Sequence, residues 1–303
     1  MGIMVVASLA LAIGSAQAQR LADPEYWPAK RDIDNETCLK CHSDKKLVAE
    51  TERGRSLNLL VEKKEFIGTF HENLACVDCH QGAKRFDKAP HNDGEPLQLA
   101  CACCHDKTTA EYKTSVHGQF RAKGDQEVPT CSSCHGRHNM YPVSDLRSSV
   151  NRFKLTETCG TCHRVGAMPA DRHPTQVEPA SQFVDSVHGK ALLVDGLAVA
   201  PTCHDCHGAH DIQPHDHPES HIGKKNVPKT CGRCHLLVEN FYNESIHGKL
   251  LAKGDDRGPT CIHCHTSHEV SRPKRAEFRL GIDQKCGKCH EDRLKRYRGT
   301  LHG

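Results

Sequence analysis

Eighteen of the chain's 19 cysteines fall into one pattern, in which two cysteines are separated by two residues and a histidine directly follows the second. It occurs nine times: at Cys38/Cys41/His42, Cys76/Cys79/His80, Cys101/Cys104/His105, Cys131/Cys134/His135, Cys159/Cys162/His163, Cys203/Cys206/His207, Cys231/Cys234/His235, Cys261/Cys264/His265 and Cys286/Cys289/His290. One such pair could hold structural zinc or close a disulfide, but neither use calls for a histidine in the same place every time. Covalent attachment of haem c does. Both thiols add to vinyl groups as thioethers, and the adjoining imidazole takes one axial position of the iron. The sequence therefore predicts nine covalently attached haems c. Cys103, within CACCH, lies outside the attachment spacing and is expected to be a buried thiol.

Each iron has a second axial position. Methionine is one common ligand there, but beyond the first eighteen residues the chain has only Met140 and Met168, against fifteen histidines outside the nine motifs. The inventory favours bis-histidine ligation. Five of the spare histidines share one context: an aromatic residue, two residues, Ser or Thr, an apolar residue, then His. The copies end at His71, His117, His188, His247 and His302. His117, His247 and His302 each follow a motif histidine by twelve residues, which suits a helix of about three turns beginning at the haem. Gly118, Gly189, Gly248 and Gly303 follow four of the five, as a helix-ending residue in the left-handed conformation would. These five histidines are expected to be distal ligands.

A second context begins with Pro-Thr-Cys, at Pro129, Pro201 and Pro259. Proline keeps the preceding chain extended, and threonine can cap the short helix that carries the cysteines. Each of these motifs has a further histidine three residues past its own: His138, His210 and His268. One helical turn is too little for both rings to serve one iron, so the second should reach a neighbouring haem. In the first unit Ala83 stands at that position, and His91, eleven residues past His80, is the candidate instead. Of the remaining histidines, His204 and His263 sit between the cysteines of a motif. HDHPESH, from His215 to His221, lies in a polar, Pro-containing loop and reads as solvated rather than as a metal site.

The elements positioning these groups have little side-chain core to work with. Of the 303 residues, 37% are hydrophobic and 5% aromatic, and mean hydropathy is −0.62, so the haems themselves must fill the interior. The expected fold class is mainly α with extensive loops, short helices wrapped around a chain of haems. Formal charge is +3, which by itself indicates no strong partner preference. Eighteen haem propionates would carry it to about −15. Lys40, Arg137, Arg164, Arg233 and Lys288, in or beside the motifs, are thus expected to pair with propionates, and no nucleic-acid surface is indicated.

Residues 1–18 form an apolar run ending in Ala16-Gln17-Ala18, which predicts a cleaved signal peptide, although the usual basic start is lacking. Residues 19–37 make a polar lead-in, and 38–303 the haem domain. Export agrees with haem attachment and gives a periplasmic or exported location. The sequence stops at Thr300-Leu301-His302-Gly303, where earlier units run on to another motif, so a longer protein is expected, whose further part could add haems or a membrane association.

With these motifs in view, the stretch from Cys38 to Gly303 resembles the multihaem c-type cytochromes of anaerobically respiring bacteria, including those with doubled motifs, the decahaem proteins and NapC/NrfH-like relatives. The resemblance implies low-potential haems arranged as a wire. It also implies redox partners: a quinol-oxidising membrane cytochrome on one side, a terminal reductase or outer-membrane conduit on the other. Two imidazoles per iron leave no substrate position, so the expected role is electron carriage rather than catalysis. The alternatives are a reductase for nitrite, hydroxylamine or a sulfur oxyanion with one open haem, and a subunit of an extracellular haem filament. Each motif ring is further expected to donate its other N–H to a carbonyl or carboxylate.

Overall fold

A computed structural model describes residues 34–50, 56–81, 91, 98–164, 166–167 and 178–302. The signal segment, most of the lead-in, His173 and Gly303 lie outside them. The chain divides into two compact units, 1–109 and 110–303, where the sequence reading treats 38–303 as one stretch.

The architecture is mainly helical, as expected. In the first unit, Asp34 caps the helix Asn35–His42 by accepting the amide of Glu36 at 3.2 Å. A short antiparallel ladder joins Val48–Glu50 to Ser56–Asn58, and another joins His80–Gln81 to Gln98–Leu99. Single turns stand at Lys63–Phe66 and around the cysteines, at Cys76–Cys79 and the tighter Cys101–Cys103.

The second unit repeats one design. A motif is followed by a helix, a sharp bend, and a second helix: Asp106–Thr114 then Val116–Ala122, Pro179–Asp185 then Val187–Leu193, Leu236–Glu244 then Ile246–Ala252. Between these pairs stand the five-residue helices Cys131–His135, Cys203–His207 and Cys261–His265. None of these helices is long enough to be stable alone, since isolated helices need roughly 12–15 residues. Tertiary contacts must hold them.

Side chains supply few such contacts. Among the described residues only Leu192, Ala200, Val227 and Leu251 are buried hydrophobics, and the fully buried side chains other than Leu192 are Ser or Thr. Those hydroxyls are structural fasteners. Meanwhile Phe70, Phe241, Ile246 and Leu301 are among many large apolar side chains left exposed by the polypeptide. A protein interior this thin needs a large apolar cofactor to close it.

The bend between paired helices corrects one expectation. The three-turn helix ending at His and Gly does not form. Ser115 ends the first helix by donating its hydroxyl to Tyr112 O at 2.6 Å, and caps the second by accepting the amide of Gly118 at 3.1 Å. Ser186 and Ser245 repeat both bonds. Thr69 and Thr300 make the backward bond, to Phe66 O and Tyr297 O. Gly118, Gly189 and Gly248 therefore lie inside a helix rather than beyond one. They are glycines because a Cβ would stand 2.1, 2.0 and 2.1 Å from the carbonyl oxygens of Tyr112, Phe183 and Tyr242.

Candidate haem sites

The repeated serine bend puts three of the distal candidates in the first turn of a helix. His117, His188 and His247 each follow the first helical residue, where the partial positive charge of the helix end disfavours imidazolium. Burial pushes the His117 ring below the ordinary histidine range, and burial with the neighbouring His235 does the same to His188. A neutral ring is the form that ligates metal.

The structure brings motif histidines and spare histidines together in seven facing pairs. Numbering the motifs one to nine along the chain, the third, fifth, seventh and ninth meet the histidine that follows the motif two places earlier. The pairs are His105 with His71, His163 with His117, His235 with His188, and His290 with His247, with ring centroids 6.1, 6.3, 6.1 and 6.3 Å apart. The fourth and sixth run the other way. His135 meets His210 at 6.0 Å and His207 meets His268 at 5.9 Å, each partner lying three residues past the motif two places later. The first motif is closed by His91, at 6.1 Å from His42.

These spacings are what one iron requires. With metal–nitrogen bonds of about 2.0–2.1 Å and each ring centroid roughly 1.1 Å behind its nitrogen, two imidazoles on one metal stand about 6.2 Å apart. The cysteines beside them close no disulfide, and no group of three or more His, Cys, Asp or Glu side chains is placed to hold a bare metal ion among the described residues. The donor set thus fits haem, in which a porphyrin completes the equatorial plane, and does not fit a zinc finger.

The attachment helices are fastened from within. In the motif helices at Cys76, Cys131, Cys203 and Cys261, the residue before the second cysteine bonds back to the amide ahead of the first. Asp78 accepts from Ala75 N at 2.8 Å, Ser133 from Thr130 N at 3.0 Å, Asp205 from Thr202 N at 2.8 Å, and His263 Nδ1 from Thr260 N at 3.0 Å. His263 is therefore a cap, and His204 Nδ1 lies 2.7 Å from Thr202 Oγ1. Arg152 holds Asp205 at 3.0 Å and Ala200 O at 3.0 Å.

Other repeat residues tie one motif to the next. Tyr112 donates to Pro129 O at 2.7 Å and Tyr242 to Pro259 O at 2.9 Å, so the aromatic of the first context anchors the Pro-Thr-Cys of the second. Val116 N donates to Ile212 O, and Val187 N to Val270 O, both at 2.8 Å. Each of these bonds joins the helix of one distal candidate to the stretch of chain just past another. His42 Nδ1 lies 3.0 Å from Leu59 O, the outer contact expected of a motif ring. Arg233, expected at a propionate, bonds to Asp205 O.

Thiols of successive motifs are neighbours within each unit. Cys38 hydrogen-bonds Cys76, whose thiol is pushed up to about 11 by burial and by that contact. Cys159 hydrogen-bonds Cys203, and Cys231 hydrogen-bonds Cys261, in each case pushing the first thiol of the pair up. The fields of Cys104 on Cys79, Cys162 on Cys134, Cys234 on Cys206 and Cys286 on Cys264 act in the same direction as burial. Motif order along the chain is thus motif order in space, inside either unit.

The polypeptide does not enclose every attachment thiol. Cys41 of the first motif and Cys289 of the ninth, both expected to hold haem, are exposed, as are Cys104, Cys131, Cys206, Cys234 and Cys286. So sparse a set of buried side chains cannot cover them all. Cys41 and Cys289 also belong to the two end motifs of the described series, which have a neighbouring motif on one side only. Their turns are nonetheless formed: Asp44 N donates to Cys41 O at 3.0 Å, and Cys289 N to Cys286 O at 3.2 Å. Exposure leaves a thiol accessible to a vinyl group, so it agrees with attachment, but it gives these two positions no packing of their own to mark the site.

Several residues stand apart from this scheme. His265, of the eighth motif, meets Phe278, with centroids 5.0 Å apart and planes within 10°. His302 is exposed at the end of the last repeat, its carbonyl accepting from Tyr297 at 2.7 Å. His80 sits in the ladder with Leu99, and His138 occupies after the fourth motif the position that His210 and His268 occupy after theirs. Cys103 is exposed, contrary to expectation. In the HDHPESH loop, His217 Nδ1 accepts from Glu219 N at 3.2 Å and His221 lies 3.8 Å from Asp211.

No helix among the described residues is long and apolar enough to cross a membrane. No protein-family profile matches the sequence. The chain is similar to the C-type polyheme cytochrome OmcB of Geobacter sulfurreducens, in strains DL-1/KN400 and ATCC 51573/DSM 12127/PCA alike. Identity is 27% over 160 residues, 44% of this chain, and the match spans 20% of the relative's length. Nine attachment motifs, histidine pairs spaced for iron and a distant polyhaem relative together support reading this chain as a multihaem c-type cytochrome.

Proposed function

We propose that the chain is an exported electron-transfer protein carrying nine haems c, most of them ligated by two histidines. The observation that carries this reading is the set of seven facing histidine pairs at 5.9–6.3 Å, in register with the attachment motifs. Each haem iron, when bound, supplies a one-electron ferric–ferrous couple, and its potential is set by axial ligands and surroundings. The polypeptide does the rest. It offers two neutral imidazoles to an iron, which leaves no substrate position there and favours electron carriage over catalysis. It also sets neighbouring motifs thiol to thiol, which supports transfer between haems in chain order. The proposed setting is anaerobic respiration in the periplasm or beyond, between a quinol-oxidising membrane cytochrome and a terminal reductase or outer-membrane conduit.

Intact-protein mass after export should show nine added haems and loss of residues 1–18. Low-temperature electron paramagnetic resonance should be dominated by low-spin bis-histidine signals. High-spin signals from most of the irons would overturn the ligand reading. The contact between His265 and Phe278 is the one observation bearing on an iron with an exchangeable position, and it points to a partner rather than a substrate.

A further inference from the structure

We propose that the haem of Cys261, Cys264 and His265 takes its second axial histidine from a haem-bearing segment outside these 303 residues that carries a doubled C-x-x-C-H motif, and that His302 is offered to an iron of that segment. The inference rests on the bis-histidine reading and names a partner for it.

The repeat itself shows what the partner must look like. At the fourth and sixth motifs the facing histidine comes from three residues past a later motif. By that rule the eighth motif calls for the same element from a further pair of motifs. The ring that meets His265 is instead Phe278, which has no nitrogen to offer, at 5.0 Å, closer than an iron can bridge.

A second observation is independent of the rings. The serine bend occurs three times with the same internal bonds, and twice it is covered. Ser115 and Ser186 are each 1% exposed, and the residues after them donate to Ile212 O and Val270 O, two residues past His210 and His268. The third copy, Ser245-Ile246, is built alike but lies open, with Ile246 73% exposed. The stretch that bonds to the first two copies arrives each time with a +3 histidine. A partner segment presenting that stretch would cover Ile246 and reach His265 in one move. His302 completes the exchange, since it ends the Tyr-x-x-Thr-x-His repeat whose earlier copies face the ring of a motif two places on.

Of the three such elements in a second copy of this chain, two are already taken. Its His210 and His268 already face His135 and His207, and its first motif is already closed by His91. The partner segment is recognised by C-x-x-C-H-x-x-H followed by the stretch that meets the bend.

The test uses the haem-loaded chain of 303 residues and, as probe, the synthetic peptide HGAHDIQ, which copies His207 to Gln213. One iron should be high-spin and bind one carbon monoxide per chain. The peptide should convert it to low-spin, binding about threefold or more tighter than free imidazole, the worth of one added backbone hydrogen bond. Ile246→Pro removes the proposed donor at a first helical position where proline is tolerated, so it should abolish the peptide's advantage and leave imidazole binding unchanged. If every iron is low-spin without peptide, the proposal is wrong, while the bis-histidine reading stands. If the peptide binds no better than imidazole, or Ile246→Pro makes no difference, the docking surface is wrong. High-spin signals from most irons would instead refute the ligand reading itself.

Discussion

Gly118→Ala tests the serine bend and the ligand assignment together. A Cβ at this position would stand 2.1 Å from Tyr112 O and 2.8 Å from Lys113 Cα, both backbone atoms that cannot swing aside. Restoring even 3.0 Å to the oxygen requires a shift of roughly 0.9 Å between the two helices, and overpacking of this kind costs about 1–3 kcal/mol. His117 is the residue next to the clash and moves with its helix. Metal–ligand distances tolerate only about ±0.2 Å. The iron of Cys159, Cys162 and His163 should therefore lose its second histidine and turn high-spin, while all nine haems stay attached by their thioethers. Low-temperature electron paramagnetic resonance reads the spin state, and intact mass reads the attachment. Gly124→Ala is the control: φ is +93° there but nothing lies within 4 Å, so stability should fall with no new high-spin signal. A Gly118→Ala protein with wild-type spin states would refute either the bend's rigidity or the His117–His163 pairing, and His117→Ala would tell which.

Other expectations follow from the same geometry. His210→Ala should turn the iron of the fourth motif high-spin although it lies 75 positions from His135, and His71→Ala should act likewise on the third; assignment by the motif's own peptide map after labelling with an exogenous ligand checks each. Tyr242→Phe removes the bond to Pro259 O and should cost about 1 kcal/mol by chemical denaturation without changing the haem count. Leu192→Ala, at a fully buried position in a sparse side-chain core, should cost about 2–5 kcal/mol in the same assay and leave every spin state as it was.

Much of the site was legible in the sequence because its chemistry is local. Two thiols and an imidazole must be adjacent to hold one haem, so the nine motifs read directly as attachment sites, even at Cys41 and Cys289, where the fold adds no enclosure. The aromatic-x-x-Ser/Thr-x-His repeat was legible too, but its geometry was not. Gly118 after His117 looked like a helix end because glycine serves both left-handed turns and close approaches, and only the 2.1 Å distance to Tyr112 O tells them apart. The pairing of rings was hidden for another reason. His210 and His135 lie 75 positions apart and, on the bis-histidine reading, meet only across an iron, so no side-chain pattern between them records the contact. His263 carried no signal at all, since its capping of Thr260 depends on the turn that the cysteines impose.

The alternating direction of the histidine pairs also sets an order of completion as the chain emerges from its N-terminal end. His117 is synthesised 46 residues before His163, so on the bis-histidine reading the fifth iron finds its second ligand already waiting. His135 precedes His210 by 75 residues, and His207 precedes His268 by 61. The fourth and sixth irons are then held from one side only until the chain has passed two further motifs. From the third motif to the ninth, odd sites close as they are made and the fourth and sixth close in arrears, so each late-arriving histidine locks a stretch of chain laid down well before it.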